Sequence, residues 1–416
     1  MIQRPEYLER LTRWRDKDVI KVITGMRRVG KSTIMELFQE RLREEGVKDR
    51  NILAINFESY EEDYPTTSKE LYDYIVQRLG KVGTTYVLLD EIQRIDEFER
   101  LLNALHVNQS IDLYITGSNA YFLSGDLATL LTGRYVELPV YPLSFKEYYS
   151  ATKDIREGDP VYPLVYPYVS GASVTREQLF ENYLTYGGLP YTAMLRDERL
   201  VVEYLDGVFN TIIVKDILQR RPRMNTRSFE STASFLADNV GNISSIKKIA
   251  TGLASRESKV SEGAVSEYVD ALLETYLLFK VDRFDLKGKE YLKTLEKYYL
   301  GDMGFRYWLL GKRAGDVGRR IENVVFLELK RRYPKVDIGK QGGCEVDFVA
   351  TGKEKTSYFQ VAQTAGDEST LKRELAPLQT IRDNHQKTLI TLDTIGLGDI
   401  DGISQVNLID WLLGED

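Results

Sequence analysis

Cysteine and histidine are scarce in this sequence: 416 residues contain one cysteine, Cys344, and two histidines, His106 and His385. A single cysteine excludes an internal disulfide and suits a reducing compartment, so we expect a cytoplasmic protein. Two histidines argue against a histidine-rich metal site and against a histidine-based catalytic triad. No apolar run approaches the roughly 20 residues that a membrane span requires. The polar start also carries no signal region, and we expect no contact with a membrane.

A net basic charge is also missing, because the formal net charge is −7 at pH 7. Nucleic-acid binding would therefore depend on local basic patches rather than on an overall field. A chain of 416 residues is too long for one ordinary core. We expect two to four domains, and composition and motif order place their bounds at 1–150, 151–225, 226–300 and 301–416.

The most specific motif follows a β-branched run at residues 19–23. Gly25, Gly30, Lys31 and Ser32 have the Gly-x-x-x-x-Gly-Lys-Ser spacing of a Walker A loop. Its glycines let backbone N–H groups turn inward, and the helix predicted at 31–45 directs its positive end at the same point. We expect Lys31 to reach the β- and γ-phosphates of ATP and Ser32 to ligate Mg²⁺. The residues predicted to bind nucleotide are Gly25, Met26, Arg27, Arg28, Val29, Gly30, Lys31, Ser32 and Thr33.

Two carboxylates follow the apolar strand predicted at residues 85–89. This is the Walker B arrangement, in which Asp90 would hold the Mg²⁺. Glu91 would act as the general base that polarises the attacking water. A solvated turn is the alternative interpretation, but a position one helix and one strand after a Walker A loop favours the catalytic one.

Polar residues also end the strand predicted at 112–116, where Ser118 and Asn119 follow Thr116 and Gly117. A polar side chain at this point would lie between Walker B and the γ-phosphate and would help to position the water; a simple polar turn is the alternative. Arg134 precedes a strand predicted at 135–138. Its forked, permanent charge could reach a γ-phosphate of its own molecule or of a neighbouring subunit, or it could be a surface arginine with no such role.

Strands alternating with helices over residues 1–150 predict an α/β domain with a parallel sheet and nucleotide at the carboxyl ends of the strands. Residues 51–57 are apolar enough to predict a strand buried on both faces. An additional strand between those that carry Walker A and Walker B resembles the AAA+ branch of P-loop ATPases.

The middle of the chain is predicted to be mostly helical. Residues 152–170 read as a linker, and helices are predicted at 176–185 and 199–220. Three helical runs at 229–239, 245–253 and 261–274 are followed by β-like segments at 278–284 and 292–299 around a hairpin tip at 287–289. This is a winged helix-turn-helix pattern with 261–272 as the recognition helix. Residues 226–300 carry 11 basic and 11 acidic residues, so an ATPase lid or a protein-contact module is as well supported as DNA reading.

Residues 301–416 predict a third α/β unit with the order α-β-β-β-α-β, which resembles the PD-(D/E)xK nuclease core. Glu322 and Asp347 match the first two acidic positions of that core, which needs carboxylates for Mg²⁺ and a lysine to activate water. The third motif reads Gln360, Val361, Ala362 and has neither the carboxylate nor the lysine. We therefore expect a degenerate domain that does not cleave nucleic acid. Residues 301–340 are nevertheless locally basic, with 10 basic and 5 acidic residues.

Taken together, the motifs resemble a family of prokaryotic AAA+ ATPases that carry a C-terminal domain of uncharacterised function. The matching stretches are 25–33, 88–93, 116–119, 133–134, 141–145, 187–190, 297–302 and 345–348. The resemblance implies ATP and Mg²⁺ as ligands, and assembly into rings or arcs in which Arg134 would act across an interface.

We therefore expect an ATPase that binds ATP and ADP and couples hydrolysis to a DNA-associated task. Two alternatives remain open at this point. One is a nucleotide-dependent switch that acts on a protein partner, and the other is an ATP-regulated nuclease with a rearranged Mg²⁺ site at Glu322 and Asp347.

Overall fold

The computed structural model describes most of the chain. The described residues are 2–59, 64–120, 133–152, 174–195, 197–254, 260–288, 290–291, 296–313, 315–341, 343–353 and 355–415. The chain forms two compact units: Met1–Val140 with Glu274–Tyr276, and Tyr141–Leu273 with Leu277–Asp416. The predicted linker at 152–170 lies almost entirely outside the described residues.

The first unit alternates strands and helices, as predicted. Its elements are α1 (Pro5–Trp14), β1 (Ile20–Thr24), α2 (Lys31–Glu44), β2 (Ile52–Asn56), α3 (Ser68–Gln77), β3 (Thr85–Asp90), α4 (Phe98–His106), β4 (Ile111–Gly117) and β5 (Tyr135–Pro139). The five strands form one parallel sheet in the order β2-β3-β4-β1-β5. The predicted parallel α/β sheet is confirmed, and β4 lies between the strands that carry the Walker A and Walker B motifs.

The position of β2 differs from the prediction. It lies at the edge of the sheet and pairs only with β3. Of its five residues only Ile55 is fully buried. The prediction that this strand is buried on both faces is therefore wrong, because an apolar run does not reveal how much of each face other elements cover.

The core of this unit contains a buried ion pair as well as aliphatic side chains. Lys21 of β1 has no exposed surface, and its ammonium group donates to the Asp112 carboxylate of β4 and to Lys17 O at 2.7 Å. Asp112 also accepts from the Tyr114 hydroxyl at 2.9 Å and from the Asp16 N–H at 2.9 Å. Burial lowers the pKa of Lys21, and the Asp112 charge opposes that shift. The pair links the neighbouring strands β1 and β4.

The second unit begins with helices. They are α5 (Phe145–Thr152), α6 (Arg176–Tyr186), α7 (Glu198–Thr211), α8 (Thr226–Asp238), α9 (Ile246–Ala254) and α10 (Glu262–Glu274). A capping box between Thr175 and Gln178 begins α6, and Gly187 with φ +80° ends it. A π-helical segment, Ile212–Leu218, continues α7.

Strands of this unit follow and surround the last three of these helices. They are β6 (Ile243–Ser244), β7 (Leu278–Val281), β8 (Arg283–Asp285), β9 (Glu290–Tyr291) and β10 (Glu296–Leu300). Three of them form an antiparallel sheet in the order β6-β10-β7. The predicted strand at 278–284 is two strands, because β8 leaves this sheet at Asp282 and pairs with a later strand instead.

The C-terminal part contains α11 (Met303–Leu310), α12 (Val317–Arg332), β11 (Lys335–Gln341), β12 (Cys344–Thr351), β13 (Thr356–Val361), α13 (Glu368–Gln379), β14 (Gln386–Thr391), β15 (Gly398–Ile400), β16 (Ile403–Asn407) and α14 (Leu408–Leu413). Its sheet has eight strands in the order β15-β16-β14-β13-β12-β11-β8-β9. Strands β11, β12 and β13 are antiparallel neighbours, and β14 is parallel to β13. Because β8 and β9 join this sheet, it extends across the predicted bound at residue 300.

None of the described helices is long and apolar enough to cross a membrane.

The buried ion pair of the first unit is open to a direct test. Changing Asp112→Asn leaves the Lys21 ammonium buried without its countercharge, and we expect a loss of about 3–5 kcal/mol in local stability. Native-state hydrogen exchange of β1 amides measures that loss. The matched control is Asp18→Asn, because the Asp18 side chain is 97% exposed and its removal should change exchange by less than about 0.5 kcal/mol. Unchanged protection of β1 in Asp112→Asn would contradict this account.

Candidate functional site

The loop after β1 turns sharply against the end of β5. Thr24 O accepts the Val140 N–H at 2.7 Å. Gly25 has φ +143°, and a Cβ at this position would lie 2.2 Å from Val140 O. Only glycine fits here, both because of the backbone angle and because of the close approach.

The loop ends in a second glycine that begins α2. Gly30 has φ +94° and occupies the N-cap of the helix, where it offers no side chain to the first N–H groups. Arg28 also has a positive φ of +68° and is exposed. The free N–H groups and positive end of a helix are suited to an anion.

Lys31 lies in the first turn of α2 and is only 5% exposed. Its ammonium group donates to Gly25 O at 3.0 Å and to Met26 O at 3.2 Å. It also lies 3.9 Å from Glu91 Oε1. The lysine is therefore held inside the loop, at the point where the Walker A carbonyl groups and the Walker B carboxylate meet.

The Walker B residues are held by a threonine on the adjacent strand. The Thr116 hydroxyl donates to Asp90 Oδ1, and its oxygen accepts the Glu91 N–H at 2.9 Å. Thr116 is fully buried at the end of β4. From the sequence, Thr116 was named only as part of the polar end of a predicted strand. Its position as a hydroxyl residue in a strand that follows the Walker B motif was the signal for this role.

Glu91 follows β3 in a left-handed conformation with φ +58°. Its Oε2 accepts from the Ser118 hydroxyl at 3.3 Å and from the Gln93 amide. Ser118 and Asn119 are both buried, with 2% and 3% of their surface exposed. The structure therefore brings Ser118 into contact with Glu91 and places Asn119 directly after it.

Arg27 was predicted as a residue of the phosphate loop, but the contacts of its side chain were not. It is 8% exposed, and its guanidinium donates to Glu58 Oε1 at 3.1 Å. Arg94 donates to the same oxygen at 2.7 Å. Burial alone would raise the pKa of Glu58, but the hydrogen bond and charge of Arg27, with those of Arg94, lower it. This network connects the phosphate loop to the segments after β2 and β3.

Arg134 lies away from this site. It immediately precedes β5, and its carbonyl accepts the Ile20 N–H at 2.8 Å, at the amino end of β1. Its exposed side chain is 3.5 Å from Asn103. Since β1 has five residues, the phosphate loop begins roughly 16 Å away, at the carboxyl ends of the strands. The prediction that Arg134 could reach the nucleotide of its own molecule is wrong for this reason.

The donor set fits MgATP. Lys31, the loop amides and the start of α2 provide the positive environment that a triphosphate requires. Ser32 at the start of α2 and Asp90 at the end of β3 provide a hydroxyl and a carboxylate, the oxygen ligands that Mg²⁺ prefers. Bound there, Mg²⁺ would neutralise charge on the β- and γ-phosphates.

Comparisons with known proteins agree with this geometry. Residues 17–149 match a family model described as AAA domain. Residues 177–316 match a model described as Domain of unknown function (DUF8612). Among solved structures, the Walker-type ATPase of Pyrococcus abyssi is similar with a TM-score of 0.51 and 15% identity, over 74% of this chain and 96% of that one. That similarity concerns the fold alone.

Relatives match nearly the full length. The chain is 38% identical to an uncharacterized protein of Haemophilus influenzae over 414 residues, which cover 99% of each chain. It is 28% identical to an uncharacterized protein of Methanocaldococcus jannaschii over 403 residues, which cover 94% of this chain and 86% of the relative. The Walker A geometry and the AAA match confirm the expected nucleotide-binding ATPase. The chain therefore belongs to the same family as the Haemophilus influenzae protein, and its own residues 17–149 form a P-loop domain of the AAA type.

Proposed function

We propose that this chain hydrolyses ATP in a Mg²⁺-dependent reaction and uses the cycle to change the arrangement of its other parts. The observation that carries the proposal is the meeting of Lys31 and Glu91, whose charged atoms lie 3.9 Å apart at the carboxyl edge of the sheet. Lys31 binds the β- and γ-phosphates, Ser32 and Asp90 hold the Mg²⁺, and Glu91 takes a proton from the attacking water.

Ser118 supports the role of Glu91, since its hydroxyl donates to the Glu91 carboxylate at 3.3 Å. Such a contact orients the base, and Asn119 next to it helps to position the water. Arg134 is exposed at the amino ends of the strands, opposite the phosphate loop. That position supports a role in a homo-oligomer, where Arg134 reaches the nucleotide of a neighbouring subunit.

We propose a winged-helix arrangement for the middle part. Helices α8, α9 and α10 with the strand order β6-β10-β7 follow the sequence expected for that motif. The predicted recognition helix is α10, Glu262–Glu274. It carries Glu262, Glu267, Asp270 and Glu274 and no lysine or arginine. A helix with this charge would be repelled by DNA phosphates.

The basic stretch at 301–340 also offers less free charge than its composition indicates. Arg306 pairs with Asp316, Arg313 with Asp238 at 2.7 Å, and Arg332 with Glu328 at 2.8 Å. Cations that are neutralised within the protein attract phosphates weakly. The charge distribution therefore favours a nucleotide-dependent switch that acts on a protein partner over a DNA-associated task. The single cysteine supports a reducing, cytoplasmic setting for either role.

ATP hydrolysis with and without DNA separates the two outputs. We expect steady-state turnover with Mg²⁺ that double-stranded and single-stranded DNA change by less than about twofold, with Lys31→Ala as the inactive blank. Several-fold stimulation that disappears as salt is raised would instead establish phosphate contacts and the DNA-associated task.

The general base has a specific test. Glu91→Gln keeps the size and hydrogen-bonding groups of the side chain but cannot accept the proton, so we expect kcat to fall by at least about 100-fold. Binding of a fluorescent ATP analogue should remain within about threefold of the unchanged protein, whereas Lys31→Ala should lose it. Rapid turnover by Glu91→Gln would remove Glu91 from this role.

Thr116 gives a test that depends on the structure. Thr116→Val keeps the shape of the side chain but removes the donor to Asp90 and the acceptor for the Glu91 N–H. We expect the Mg²⁺ concentration for half-maximal ATP hydrolysis to rise about 10–100-fold, the usual effect of removing a group that orients a metal ligand. Thr116→Ser keeps the hydroxyl and is the matched control. An unchanged Mg²⁺ dependence in Thr116→Val would show that this hydroxyl does not position Asp90.

A further inference from the structure

The C-terminal sheet carries an acidic cluster at the position where a nuclease of the predicted class would bind its metal. Glu322 comes from α12, and Glu345 and Asp347 come from β12. We propose a nuclease-like core for α12, β11–β13, α13 and β14, because their order and pairing follow the expected α-β-β-β-α-β pattern. The contacts of these three carboxylates show whether a metal ion could bind among them.

A lysine from outside that core lies among the carboxylates. Lys297 belongs to β10 and is only 4% exposed. Its ammonium nitrogen is 2.9 Å from Glu345 Oε1 and 3.2 Å from Glu322 Oε1. Arg283 of β8 adds a second cation, with its guanidinium 3.6 Å from Glu345 Oε2. Both cations come from the strands that surround the predicted hairpin tip.

Further donors occupy the carboxylate oxygens. The Tyr299 hydroxyl donates to Glu322 Oε1 at 2.6 Å, and the Val361 N–H donates to Asp347 Oδ2 at 2.9 Å. Gln360 stands where the nuclease motif has a carboxylate, and its amide oxygen accepts the Asp347 N–H at 3.3 Å. One oxygen of each of the three carboxylates is therefore already occupied by a protein donor.

The Glu322 carboxylate also packs closely against Gly241. A Cβ at Gly241 would lie 3.1 Å from each of its carboxylate oxygens. Across the part of the chain that the structure describes, no group of three or more His, Cys, Asp and Glu side chains has an arrangement that could hold a metal ion. The residues therefore do not fit the Mg²⁺ that a nuclease core implies.

Most of the negative charge of the cluster is offset by cations of the protein itself. Three carboxylates, of Glu322, Glu345 and Asp347, face two cations, Lys297 and Arg283. Burial alone would lower the pKa of Lys297, but Glu322, Asp347 and Glu345 together raise it. A divalent ion would have to share these carboxylates with two cations that the protein already supplies.

We propose that the Lys297 ammonium permanently occupies the cation position of this acidic cluster, so that the C-terminal domain binds no divalent metal and cleaves no nucleic acid. The lysine instead fastens β10 to α12 and β12 through Glu322 and Glu345. A buried cation held by two carboxylates is costly to disrupt when one partner is removed. The positive charge that a metal ion would supply is thus provided by the side chain of Lys297.

Mn²⁺ binding to the full chain without nucleotide tests this. Electron paramagnetic resonance of free Mn²⁺ measures how much metal the protein removes from solution. We expect unchanged protein and Asp347→Asn to bind the same amount, because the cluster contributes no site. Lys297→Met removes the ammonium, and we expect one additional Mn²⁺ site that binds at least tenfold more tightly than any Mn²⁺ binding by the unchanged protein. The double variant, Lys297→Met with Asp347→Asn, should lose this site again.

Lys297→Arg is the matched control, since it keeps a cation and should gain no Mn²⁺ site. Circular dichroism and ATP hydrolysis show whether each variant is folded. Tight Mn²⁺ binding by the unchanged protein that Asp347→Asn abolishes would overturn the proposal, as would Mn²⁺-dependent plasmid nicking with the same sensitivity. A folded Lys297→Met protein without a new site would also overturn it. If Lys297→Met does not fold, the comparison of unchanged protein with Asp347→Asn decides the question.

Discussion

The parallel pairing of β1, β3 and β4 is the constraint on which the nucleotide site depends. Thr24 lies opposite Gly117, and Leu89 lies opposite Ile115. Because all three strands run in the same direction, the loop after β1, the carboxylates after β3 and the polar end of β4 emerge at one edge of the sheet. A Cβ at Gly25 would collide with Val140 O at 2.2 Å, so the close approach to β5 also depends on this arrangement. The chemistry follows from the register.

Buried cations recur in both units, and each is accompanied by carboxylates. Lys21 lies against Asp112 in the first unit, Lys31 lies near Glu91 in the phosphate loop, and Lys297 lies between Glu322 and Glu345 in the second unit. A buried charge without a partner would be strongly unfavourable, so these pairs act as specific links between neighbouring elements. They differ in purpose. The first joins two strands, the second prepares a site for phosphate, and the third replaces a metal ion.

Several differences between prediction and structure have a common physical cause. The apolar run of β2 was interpreted as a strand buried on both faces, but tertiary packing places β2 beside β3 alone and leaves most of its residues partly exposed. Arg134 was predicted to reach the nucleotide of its own molecule or of a neighbouring subunit, but the direction of β5 places it at the amino ends of the strands, away from the phosphate loop. Residues 278–284 were interpreted as one strand, but β8 pairs with β11. In each case the local pattern was informative about the element and silent about its neighbours.

The sequence by itself determined the parallel α/β domain, the phosphate loop and the Walker B carboxylates, because these depend on local spacing: Gly25 to Ser32 along one loop, and Asp90 and Glu91 after one strand. It also revealed the missing carboxylate and lysine at Gln360 and Ala362. Only the tertiary structure decided that Thr116 holds both Walker B residues and that Lys297 enters the acidic cluster. Those contacts join residues 25 to 48 positions apart, and no local pattern encodes which distant side chains the packed sheets bring together.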